Sequence, residues 1–146
     1  MKLNIKKLNE NAVIPSYATE YSAGADLYVP KNVEAVVIKP HATALIKLGI
    51  AIEIPEGYMG LIFARSGLAS KKGLAPANKV GVVDADYRGE IMVALHNHTD
   101  EERSVEAGER IAQLVVTPFL KCEYTEVESL SDTVRGAGGF GSTGTK

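Results

Sequence analysis

The sequence predicts an all-β domain, a sandwich, jelly roll or barrel, and three observations predict it. Apolar and polar residues alternate at period two, most clearly where Ile46, Leu48, Ile50, Ile52 and Ile54 fall on one face and Lys47, Gly49, Ala51 and Glu53 on the other. Short runs of this kind recur along the chain, separated by turns rich in glycine. No window keeps an amphipathic helical period for more than a couple of turns.

Taken in order, residues 3–8 and 33–38 are strand candidates. Residues 46–54 read as one half-buried strand that ends at the turn signal Pro55-Glu56-Gly57. Tyr58–Phe63 reads as the next strand, and the two are expected to form a hairpin. The best short helix follows Ser66 and runs through Leu68-Ala69-Ser70-Lys71-Lys72. Val80–Val83 and residues 90–95 read as a strand-turn-strand element around Asp84-Ala85-Asp86-Tyr87, and residues 102–105, 111–117 and 122–127 complete the strand candidates. The chain then enters Arg135-Gly136-Ala137-Gly138-Gly139-Phe140-Gly141-Ser142-Thr143-Gly144. A free, flexible end is one reading of so many glycines, and a segment ordered by ligand is the other. Phe140 and Arg135 suit the second, because an aromatic stacks on a base and a guanidinium grips oxygens.

The 146 residues suit one domain, 1–146, with residues 129–146 as its tail. A composition of 45% hydrophobic and 23% charged residues is that of an ordinary globular protein. Apolar runs are too short to span a bilayer, and Met1-Lys2-Leu3-Asn4 lacks a signal peptide's apolar region, so a cytoplasmic protein without a membrane partner is expected. The single Cys122 suits a reducing compartment and reads as a free thiol in a strand. A net charge of -2 offers no footprint for a nucleic-acid polymer, so any anionic ligand must be held locally.

Two segments offer local chemistry. In Ala64-Arg65-Ser66-Gly67-Leu68-Ala69, Arg65 supplies a planar fork of donors, Ser66 a hydroxyl and Gly67 close backbone approach, which together suit phosphate. An N-capping Ser66 beside a solvated Arg65 is the structural alternative. In Gly81-Val82-Val83-Asp84-Ala85-Asp86-Tyr87-Arg88-Gly89-Glu90, the two carboxylates could merely tie a turn. Tyr87 at the turn tip and Asn78 just upstream also make a pocket with base reader, carboxylate and aromatic conceivable. Gly24-Ala25-Asp26-Leu27 and Gly108-Glu109-Arg110-Ile111-Ala112-Gln113 are weaker candidates, since each could be only a turn entering a strand. His96 and His98 share one side of a strand but lack a third ligand at a telling spacing, so no structural zinc is expected. Gly139 and Gly144 mimic a phosphate-binding loop, but Thr145 precedes Lys146 where that loop needs Lys first.

In this order, the segments around Gly24-Ala25-Asp26, Arg65-Ser66-Gly67, Asn78 to Gly89, Gly108 to Gln113 and Arg135 to Gly144 resemble the five motifs of the trimeric dUTPase family, over nearly the whole chain. Ala25 and Ala64 depart from common family residues without removing a functional group. The resemblance implies a distorted jelly-roll-like β-barrel with one short helix, and a homotrimer whose active sites draw on all three subunits. It implies hydrolysis of dUTP to dUMP and pyrophosphate by water attack on the α-phosphate, assisted by Mg2+, limiting uracil in DNA and supplying dUMP for thymidylate synthesis. By the same resemblance Asp84 is the base, Asn78 and backbone near Val83 meet uracil, and Tyr87 packs on deoxyribose. Arg65, Ser66, Gly67 and Gln113 hold phosphates, and Asp26 reaches the metal through water. The tail closes with Phe140 over uracil and Arg135, Gly141, Ser142 and Thr143 around the terminal phosphate. The deoxycytidine triphosphate deaminases share the fold, but this Arg- and Gly-rich tail and the lack of an obvious catalytic glutamate near Asp84 separate them.

Overall fold

The computed structural model of the chain describes residues 1–139. Among these, the chain forms β1 (Asn4–Lys7), β2 (Ala25–Tyr28), β3 (Val36–Ile38), β4 (Thr43–Lys47), β5 (Ile50–Glu53), β6 (Tyr58–Phe63), α1 (Ser66–Lys72), β7 (Leu74–Pro76), β8 (Val80–Val83), β9 (Met92–Asn97), β10 (Arg103–Val105) and β11 (Arg110–Pro118). Four antiparallel sheets result, in the orders β2-β11-β6-β8, β4-β9-β7, β1-β5 and β10-β3. They wrap one core as a distorted jelly roll, and none closes into a barrel. No helix among the described residues is long and apolar enough to cross a membrane.

Leu27, Ile50, Leu74, Leu95 and Ile111 are fully buried at the centre of that core. Each contributes about 2 kcal/mol by leaving water. The alternating face of residues 46–54 is buried as expected, with Ile46, Leu48, Ile50, Ile52 and Ile54 all in the core. It is not one strand, however. Gly49 adopts φ +69, a left-handed conformation cheap only for glycine, and the chain passes there from the β4 sheet to the β5 sheet. Its amide donates to Glu90 Oε1 at 2.9 Å and its carbonyl accepts from the Leu8 amide at 2.7 Å, so the break in the ladder is satisfied by side chain and neighbouring backbone.

The expected hairpin across Pro55-Glu56-Gly57 is absent. β5 pairs with β1, whereas β6 lies between β11 and β8, so this turn carries the chain from one sheet to another. Likewise β8 pairs with β6 and β9 with β4 and β7, so Asp84–Tyr87 does not close a hairpin either. Residues 122–127 form no strand, and Tyr124 and Val127 are exposed, this stretch having no ladder partner among the described residues. Two strands escape pattern reading. β2 is too short and too buried to alternate, and β7 ends in Pro76, which is tolerated because β7 is an edge strand.

Candidate active site

Asp26 lies on β2 opposite Gln113 of β11, and the two share a face because antiparallel partners point the same way. Asp26 is the one buried charged residue among the described residues, and both of its oxygens are engaged. Oδ1 accepts from Arg65 Nε at 2.7 Å and Oδ2 from Arg110 Nη1 at 3.1 Å. A buried carboxylate without such partners would cost several kcal/mol, and the two guanidinium groups offset that cost. Arg110 reaches Asp26 through a bulge. The β2-β11 register shifts between Arg110 and Ala112, and the extra residue turns Arg110 onto the face that Gln113 already occupies.

Arg65 ends β6's extended path and is itself the N-cap of α1, with no side-chain cap. The capping alternative for Ser66 is therefore not met. Ser66 is the first helical residue, exposed, and its carbonyl accepts from Ser70 Oγ at 2.7 Å. Leu68 pins α1 to the core, Lys71 and Lys72 complement its C-terminal end, and Gly73 closes it at φ 64. Gln113 Nε2 donates to the Ala64 carbonyl at 2.9 Å, tying β11 to the same corner. A Cβ on Gly24 would lie only 2.5 Å from Gln113 Oε1, so glycine is what lets the glutamine lie there.

These residues converge. Ala18, Ser22, Ala23, Gly24, Asp26, Arg65, Ser66, Gly67 and Gln113 line one cavity of about 300 Å³. Arg65 spends only Nε on Asp26 among the described hydrogen bonds, and the polar walls suit an anion. A neighbouring cleft shares Arg65 and Gly67 and adds Lys71, Lys72 and Arg110, with Glu109 paired to Lys72 at 2.7 Å.

The second cavity, about 280 Å³, is lined by Asn78, Gly81, Val83, Asp84, Tyr87 and Glu90 together with apolar Leu45, Ile62, Ile91, Met92 and Ala94. Val83 is buried on β8, while Asp84 and Tyr87 stand exposed on the turn beyond it. Tyr87 Oη donates to the Glu90 carbonyl at 2.8 Å, and Asn78 lies against Gly81, where a Cβ would come within 3.2 Å of Nδ2. No residue lines both cavities. Arg135 joins neither, its Nε donating to the Gly138 carbonyl at 2.8 Å, and Phe140, Gly141, Ser142 and Thr143 lie outside the described residues.

The histidines pair with one another and with neighbouring side chains. His96 and His98 stack edge to face at 4.5 Å, His96 Nδ1 shares a hydrogen with Thr43 Oγ1 at 2.9 Å, and His41 meets Asp100 at 2.8 Å. His98 is held below the usual imidazole pKa by desolvation and then by the charges of Lys79, His96 and His41. No three His, Cys, Asp or Glu side chains gather as a metal cage among the described residues. Arg110, Arg88 and Gly24 carry geometry that residue patterns alone left without a role.

The dUTPase family model matches residues 10–144. A deoxyuridine 5'-triphosphate nucleotidohydrolase of Hydrogenobaculum sp. is 53% identical over 146 residues, covering 100% of both chains, and one of Nautilia profundicola is 54% identical over 144 residues, covering 99% of both. Among solved structures, the Staphylococcus bacteriophage 80alpha dUTPase with dUPNHPP superposes with a TM-score of 0.89 at 34% identity, covering 99% of each chain. The chain belongs to the dUTPase family.

Proposed function

We propose that this member of the dUTPase family hydrolyses dUTP to dUMP and pyrophosphate, limiting uracil in DNA and supplying dUMP for thymidylate synthesis. One observation carries the reading: the chain builds a polar cavity around Asp26, Arg65, Ser66, Gly67 and Gln113, with the cationic cleft of Lys71, Lys72 and Arg110 beside it, and a separate, mostly apolar cavity beside Asn78, Asp84 and Tyr87. The first suits a triphosphate and the second a base and sugar. Relatives spanning the whole chain carry the name of that activity, and the related phage enzyme holds a dUTP analogue.

In this reading the Asn78 amide and backbone near Val83 meet the polar edge of uracil. Tyr87, fixed by its bond to the Glu90 carbonyl, packs on deoxyribose and excludes a 2'-hydroxyl. Asp84 orients a water and accepts its proton as the water oxygen bonds to the α-phosphorus and the bond to the β-phosphate oxygen breaks. Arg65 and Gln113 balance charge on the departing pyrophosphate. The donor set fits Mg2+ carried on the triphosphate: Asp26 is the carboxylate of the phosphate cavity, and with both oxygens held by arginines it suits contact through water. When bound, the ion neutralises phosphate charge and holds the chain of phosphates in line.

The same layout supports a homotrimer with shared sites. Two cavities that share no residue, and exposed Leu120, Tyr124, Leu130 and Val134 in residues 119–139 outside strands and helices, suit completion of each site by a second copy. Arg135, Phe140, Gly141, Ser142 and Thr143 are assigned to closing such a shared site over bound dUTP.

The test is incubation of the purified protein with dUTP, dCTP or UTP and Mg2+, with pyrophosphate and ammonia both recorded. Pyrophosphate from dUTP with kcat/KM about 10^4-fold above dCTP is expected, since a site built for one hydrogen-bond pattern rejects the mismatch. Ammonia from dCTP would instead identify a deaminase, and comparable rates on dUTP and dCTP would overturn the reading.

A further inference from the structure

We propose that Arg88 is a positioning residue that sets the turn bearing Asp84 and Tyr87, an inference resting on the reading of Asp84 as the base. The turn Asp84–Tyr87 has an unusual burden. It leaves one sheet at β8 and enters another at β9, so no ladder partner braces it, and Asp84 and Tyr87 are both exposed. Its own backbone closure, Tyr87 amide to Asp84 carbonyl, is long at 3.2 Å. A catalytic carboxylate on so weak a support would wander unless something else held it.

The Arg88 guanidinium supplies that hold. Its Nη1 donates to the Ala85 carbonyl at 2.6 Å and to the Tyr87 carbonyl at 3.1 Å, bridging the peptide next to Asp84 and the peptide of the aromatic. Its Nη2 faces Glu53 Oε1 at 3.4 Å, and Glu53 Oε2 accepts from Asn4 Nδ2 at 2.7 Å across the β1-β5 register. The ion pair is exposed and worth little by itself, so its role is to aim the guanidinium rather than to stabilise the fold. Charge-assisted bonds to two carbonyls are the stronger contacts. A second fastening comes from Tyr87, whose ring lies so close over Gly89 that a Cβ there would be 2.5 Å from its hydroxyl oxygen. Both fastenings reach the same frame, because Glu90, whose carbonyl receives Tyr87, takes the Gly49 amide on its side chain at the β4-β5 break.

Arg88 lines a cleft with Asn4, Lys6 and Glu53 and not the cavity of Asn78 and Asp84, so it acts through the turn and not on substrate. The expected signature is a loss of kcat without a matching loss of binding. Arg88→Ala should lower kcat about tenfold, leave the affinity for a non-hydrolysable dUTP analogue within about threefold, and leave Tm within about 2 °C. Arg88→Lys, whose single ammonium nitrogen cannot hold both carbonyls and also keep the contact that Nη2 makes to Glu53, should recover only part of the rate. Hydrogen exchange at the 84–87 amides of the unliganded protein should quicken about tenfold in Arg88→Ala, a readout that needs no turnover. Unchanged exchange and unchanged kcat would overturn the proposal, as would analogue binding that falls in step with kcat, or full rescue by lysine. Absence of dUTP turnover in the unmodified protein would overturn the functional reading alone and leave the exchange result to judge the clasp.

Discussion

The phosphate cavity and the Asp84 cavity are built on opposite principles. In the first, Asp26 is buried on a strand in the four-stranded sheet, and its carboxylate is locked by guanidinium groups from two other places in the chain. In the second, Asp84 and Tyr87 sit exposed on a turn held by side-chain bonds to backbone. Strand pairing and buried charge make the first rigid and couple it to folding. The second is nearly decoupled from folding, because the turn adds little buried area. The difference teaches where function and stability should separate: a change at the exposed Asp84 is expected to spare the fold, and a change at the buried Asp26 is not.

Asp84→Asn tests that separation most severely. Turnover should fall by about 10^2 to 10^4, or roughly 3 to 5 kcal/mol of barrier, while Tm and analogue affinity hold. Single-turnover rates and a thermal melt decide it, and a lowered Tm with modest loss of rate per folded molecule would mean that Asp84 only ties the turn. Asp26→Asn should behave in the contrary way. It removes one charge between two arginines, and since their side chains are 27% and 47% exposed, solvent relieves part of the penalty, leaving a cost of about 1 to 2 kcal/mol. Tm should drop by roughly 2 to 6 °C. Analogue affinity should weaken in the same variant, as Arg65 loses its anchor, and an unchanged Tm would erase the contrast between the cavities. Gly24→Ala is the mildest. The added Cβ displaces Gln113 from its bond to the Ala64 carbonyl, for which a KM rise of a few-fold and about 1 kcal/mol of stability are expected. Calorimetry and steady-state kinetics on that variant would show whether the corner is as tightly built as its distances imply.

Much of this arrangement was legible in the residues. Period-two alternation marked the buried face of Ile46 to Ile54 and the strands near 80–83, 102–105 and 111–117, and Arg65-Ser66-Gly67, expected at a strand-to-helix junction, lies there and lines a cavity. Asn78, Val83, Asp84 and Tyr87 were expected together and do line one cavity. Partnerships were not legible. The turns at Pro55–Gly57 and Asp84–Tyr87 look like hairpin turns locally, yet each joins strands of different sheets. Alternation says which face of a strand is buried and nothing about which strand lies beside it.

The residues that only the tertiary structure brought forward share that cause. Arg110 is three positions before Gln113, which on a regular strand puts it on the opposite face, and a bulge reverses this so that it meets Asp26 from 84 positions away. Arg88 finds Glu53 across 35 positions, and Gly24 matters because Gln113 lies over it. The sequence by itself determined the all-β class, the buried faces and the chemical types gathered for a nucleotide, because those follow from periodicity and from what each side chain can donate or accept. Only the tertiary structure decided which strands pair, how the phosphate corner is locked and that one chain keeps its two cavities apart, because long-range pairing is set by the packing of the whole core and leaves no mark within a short window of residues.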